Sequence, residues 1–157
     1  MTFSEGAAGG YAPSEKEGRL ERKISRLFSH YDDIVRHAAR LERRIANTAL
    51  FGIRASLRTD AYSEINALLA LKGKKERILG LKLIADELLC KMPKASEECV
   101  RPVLIKGKSA HRAATELGIK PETVINRAQK GVRAAYEYLM RKGDAYYFDL
   151  IDQIDQT

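Results

Sequence analysis

The chain has no tryptophan, four prolines and two cysteines in 157 residues. Cys90 and Cys99 fit neither a zinc-ligand pattern nor the dense cysteine framework of a stapled secreted domain. They read as two reduced, partly buried thiols of a cytosolic protein. No apolar run approaches the roughly 20 residues of a membrane-spanning helix. The opening MTFSEGAAGGYAPSEKEG lacks both a basic stretch and an apolar core, so it does not read as a signal peptide. β-branched residues are thin, whereas Ala, Leu, Lys, Arg and Glu are plentiful, and helix is the default expectation. These absences leave a soluble, cytoplasmic, all-α protein.

The charge is plentiful and uneven. The formal net charge is +7, from 28 basic and 21 acidic residues. The last fourteen residues, 144–157, hold four aspartates and no lysine or arginine, so residues 1–143 carry 28 basic against 17 acidic groups. A positive body with an acidic tail suits a polyanionic partner such as nucleic acid.

Residues 1–18 are rich in Gly, Ser and Ala, have little to bury, and read as a flexible arm. Residues 19–92 read as a helical packing or oligomerisation region. Leu20, Ile24, Leu27, Tyr31, Ile34, Ala38, Leu41 and Ile45 alternate spacings of four and three, a heptad seam of almost four repeats. Phe28 and Val35 widen it, which favours a bundle, within or between chains, over a slim zipper. Ser29 followed by Asp32 is a capping-box signal that would split the segment in two. Residues 50–59 break the pattern, and Asp60 suits the N-cap of the next helix. KGKKER, 72–77, reads as a basic turn around Gly73, after which helical spacing returns from Ile78 to Met92 and Pro93 stops it. A short helix is expected after Pro93, interrupted near Pro102.

The most specific stretch is KSAHRAATELGIKPETVINRAQKGVRAAYEYLMRKG, within a module spanning 93–143. Ser109 can cap a helix whose buried side is Ala113, Ala114 and Leu117. Gly118 suits a tight left-handed turn, Ile119 plugs the gap between two helices, and Lys120 marks the boundary. Pro121 then stands first in the next helix, where its missing N–H costs nothing. Val124, Ala128, Val132 and Ala135 would face inward.

This pattern resembles a helix-turn-helix of the kind in region 4 of the sigma-70 family, as carried by phage-encoded, ArpU-like transcription regulators. The resemblance covers about residues 107–133 and rests on Ala113-Ala114, the Leu117-Gly118-Ile119 turn, and Thr123-Val124 followed by Arg127. Nothing in residues 1–90 looks like the aromatic-rich promoter-melting region of a complete sigma factor. The resemblance implies that the second helix lies in the DNA major groove. Its outward face would then be Lys120, Glu122, Thr123, Ile125, Asn126, Gln129, Lys130 and Arg133. Asn126 and Gln129 are amides able to bond adenine bidentately, Glu122 can accept from cytosine, and Ile125 can touch a thymine methyl. Lys106, Lys108, Ser109 and Arg112 would sit where phosphates pass. The plainer alternative is a helical hairpin with a solvated polar face.

Other chemistry finds little support. IKGKSA lacks the earlier glycine of a phosphate-binding loop, since Pro102 stands in its place, and no strand precedes it. His30 and His37 are two turns apart, too far to chelate one metal. His111 has no partners that spacing can tie to it, and no Ser/His/Asp set is identifiable. No enzyme activity, cofactor or metal is expected. The tail 144–157 alternates acid and apolar residues; Gly143 would end one helix and Asp144 cap another. It would fold back on the core, or dock a partner such as RNA polymerase or a second subunit. The expected whole is an all-α transcription regulator of phage or mobile-element type that binds duplex DNA. A packaging subunit resembling a small terminase subunit and a protein-interaction adaptor are the alternatives.

Overall fold

A computed structural model describes residues 15–55 and 61–154, and every described element is helical. Seven α-helices follow in order: α1 (Glu15–Ser29), α2 (Tyr31–Ala55), α3 (Ala61–Lys91), α4 (Lys94–Val100), α5 (Ala110–Leu117), α6 (Pro121–Lys142) and α7 (Ala145–Asp152). A π-helical turn, Arg101–Ile105, links α4 to α5. The segment expected as an arm to residue 18 therefore overlaps the start of α1, and Asp60 lies outside the described residues.

The heptad seam does its packing inside the chain. Ile24, Leu27, Ile34, Ala38 and Leu41 are buried, and Leu20, Tyr31 and Ile45 pack partly buried against the same core. Phe28 joins them, while Val35 stays 38% exposed. Of the seam expected to pack a bundle within or between chains, Ile24, Leu27, Ile34, Ala38 and Leu41 are spent inside this chain, while Leu20, Tyr31 and Ile45 keep part of their surface. The seam also bends at His30, where α1 gives way to α2. Ser29 does not cap α2; its hydroxyl donates instead to the Arg26 carbonyl at 2.9 Å.

α2 and α3 form an antiparallel hairpin. Tyr31 donates to Asp86 at 2.6 Å, and Lys75 pairs with Glu42 at 3.1 Å, so α3 runs backwards as α2 advances. KGKKER is not a turn but part of α3. Lys, Arg and Glu are strong helix formers, and the single glycine costs only about 1 kcal/mol. Leu71 and Ile78, buried on either side of it, more than offset that cost.

One core cluster runs from Ile24 through Leu81, Leu88, Val100, Ala113, Val124 and Leu139 to Ile154. Residues on both sides of Pro93 share this cluster. The interruption expected at Pro102 is the π-helical turn, in which Lys106 N–H reaches back to the Arg101 carbonyl at 3.0 Å. The tail folds onto the body: Tyr147, Leu150, Ile151 and Ile154 are buried. Asp144 caps α7 by accepting from Tyr146 N–H at 2.9 Å, and Asp152 meets Lys23 of α1 at 2.8 Å.

A polar hub fastens α6 and α7 to α3. Glu87 accepts from Lys142 Nζ at 2.8 Å, from the Tyr147 hydroxyl at 2.9 Å and from the Tyr138 hydroxyl. The Lys142 ammonium and the two phenols hold its carboxyl at about 2. Glu87 in turn raises the pKa of both Lys142 and Tyr138.

Candidate nucleic-acid interface

α5, its turn and the first half of α6 have the local geometry of two helices joined by a short left-handed corner. Ser109 caps α5, its hydroxyl accepting from Arg112 N–H at 3.1 Å. Gly118 closes α5 at φ 71° and ψ 30°, a region a β-carbon disfavours. Ile119 N–H reaches back to the Ala114 carbonyl at 3.1 Å, the six-to-one bond of a Schellman C-terminus. Lys120 is extended, at φ −79° and ψ 148°, and Pro121 begins α6.

Ala113 and Ala114 of α5 are buried, together with Val124, Ala128, Val132 and Ala135 of α6. Leu117, expected on the buried side, is 36% exposed. It stands in the last helical position, immediately before the left-handed Gly118. α4 closes the other side of α6, and Gly131 makes this contact tight. A β-carbon there would lie 2.9 Å from Val100 Cγ2 and 3.1 Å from both Met92 Sδ and Ser96 Cβ. Small residues at a helix crossing were legible in sequence, but the partner of Gly131, some 30 positions away, was not.

The polar groups assigned from the resemblance fall into two sets. Lys120, Glu122, Ile125, Asn126, Gln129 and Lys130 are exposed along one side of α6, and Thr123 is half-buried at its edge. No ion pair within the described residues engages Lys120 or Lys130. The second set is held by neighbours. Arg133 is half-buried, 2.7 Å from Glu21 of α1 and 3.3 Å from Glu137, with its guanidinium 4.8 Å from the Tyr136 ring centroid. Lys108 meets Glu116 at 2.7 Å, Arg112 approaches the same carboxylate at 3.5 Å, and Lys106 meets Asp32 at 2.9 Å. Hydrogen bonding from Lys108 holds the Glu116 carboxyl below its ordinary range. Arg133 therefore ties α6 to the body, a role that residue type and spacing did not reveal.

Residues 106–133 hold seven Lys and Arg against two acids. This ridge offers amides, an apolar contact and cations together, a set suited to phosphate contacts at the edges and base edges at the centre. Among the described residues no group of three or more His, Cys, Asp or Glu is placed to hold a metal ion. No helix among them is long and apolar enough to cross a membrane. Comparison with protein-family models, curated proteins and solved structures found no match to the chain.

Proposed function

We propose that the protein is a sequence-specific duplex-DNA-binding transcription regulator, reading base edges with the exposed face of α6. One observation carries this reading. A Ser-capped helix, a left-handed glycine corner and a proline-launched helix leave Glu122, Ile125, Asn126 and Gln129 in solvent, flanked by Lys120 and Lys130. The resemblance to sigma-70 region 4 supports the same assignment, and with it a phage or mobile-element setting and RNA polymerase as a second partner. α5 would brace the backbone while α6 enters the major groove.

Selection of a preferred duplex from a random pool, followed by fluorescence anisotropy, tests the proposal. Asn126→Ala and Gln129→Ala should each remove about 1–3 kcal/mol of discrimination against wrong bases. Both side chains are exposed, so the fold should be unchanged. Lys120→Ala or Lys130→Ala should weaken all sequences alike and lower the salt slope by roughly one. Undiminished preference in the folded amide variants would remove α6 as the reader, and salt-insensitive binding would remove the DNA reading itself.

A further inference from the structure

α3 carries apolar residues on two opposite sides, and only one of these meets the body. Its core side is Leu71, Ile78, Leu81, Ile84, Ala85, Leu88 and Leu89. A second stripe faces solvent: Ile65 is 53% exposed, Leu69 60%, Leu79 40% and Leu83 60%. Lys72 and Glu76 complete it, both exposed, and neither is ion-paired within the described residues. A second apolar stripe on a helix calls for a second surface to cover it.

The order along this stripe identifies what covers it. Ile65, Leu69, Lys72, Glu76, Leu79 and Leu83 alternate spacings of four and three, a heptad seam some 27 Å long at 1.5 Å per residue. The seam is self-complementary about its midpoint at Lys74. Laid antiparallel on itself, it sets Ile65 against Leu83, Leu69 against Leu79 and Lys72 against Glu76, and a two-fold axis repeats each pairing. The charges would clash or go unpaired in a parallel register, whereas here both cations meet carboxylates.

We infer that α3 is the dimerisation surface of this protein, pairing antiparallel with α3 of a second copy through Ile65, Leu69, Lys72, Glu76, Leu79 and Leu83. The occupant is a second copy because the stripe matches its own reverse in both apolar and charged positions. The short seam places the dimer among small interfaces, so its self-association is expected to be weak and concentration-dependent. The inference is independent of the DNA reading, since it uses no residue of α5 or α6.

Light scattering of the full chain over a micromolar concentration series should show a monomer–dimer equilibrium. Leu83→Glu should weaken it by about a hundredfold or more, because symmetry places the lost apolar contact and the new buried charge in the interface twice. Lys72→Glu and Glu76→Lys should each weaken it by at least about tenfold, since each faces like charges across the axis. Mixing those two variants should restore association as a heterodimer visible by native mass spectrometry, because each then meets the opposite charge. All three positions are exposed, and circular dichroism should show unchanged helix content. A chain that stays monomeric throughout overturns the inference and leaves the stripe to a different partner. So does a dimer indifferent to Leu83→Glu, or a mixture of charge variants that fails to associate.

Discussion

Removing the charge of Glu87 tests how α6 and α7 are held to α3. In Glu87→Gln the shape is nearly kept, but the amide nitrogen turns a donor toward groups that are themselves donors: Lys142 Nζ and the Tyr138 and Tyr147 hydroxyls. The carboxyl is held at about 2, against an ordinary value of 4.5. A lowered folded pKa means that the stabilisation is complete above the unfolded value and is lost as pH falls from about 4.5 through about 2. A shift of that size corresponds to an upper bound of about 3 kcal/mol near neutrality and about 1.5 kcal/mol near pH 3. With 23% of the Glu87 side chain still in water, about 2–3 kcal/mol is the expected destabilisation near pH 6. Urea unfolding followed by circular dichroism measures it, and the thermal midpoint should fall by about 4–10 °C. The gap between the two proteins should narrow to roughly half by pH 3. A loss below about 0.5 kcal/mol, or a gap that does not close on acidification, would refute the reasoning and make the hub incidental to stability.

Three glycines should respond differently to alanine, and chemical denaturation of each variant distinguishes them. Gly131→Ala should destabilise by about 1–3 kcal/mol, because its methyl group would press on Val100, Met92 and Ser96. Gly118→Ala should cost about 1 kcal/mol although nothing lies within 4 Å of the new carbon, since the strain is in a φ of 71°. Gly73→Ala should stabilise by about 0.5–1 kcal/mol, because the position is helical and open. Ser109→Ala should cost about 1 kcal/mol by stripping the cap from Arg112 N–H, and should also loosen α5 ahead of the corner.

Features governed by near neighbours along the chain are readable from residue order. The helical class follows from composition, the corner at Gly118 from a residue tolerant of positive φ followed by a helix-starting proline, and the caps at Ser109 and Asp144 from side chains three or fewer residues from the amides they satisfy. The exposed face of α6 was legible for the same reason, because a period of 3.6 separates Val124 and Ala128 from Asn126 and Gln129. Contacts between distant segments were decided by the tertiary structure alone. A heptad seam states that one face is apolar and leaves open which surface covers it; packing of α1 and α2 into the body buried Ile24, Leu27, Ile34, Ala38 and Leu41 and left the stripe on α3 outside. KGKKER looked like a turn because charge and glycine mark turns and solvated helix faces alike, and only the pairing of α3 along α2 separates the two. Arg133 had the spacing of the outward face of the second helix, and only the fold brings Glu21, 112 residues earlier, within 2.7 Å of it. Local chemistry sets what each residue can do, and long-range packing chooses which of those uses it keeps.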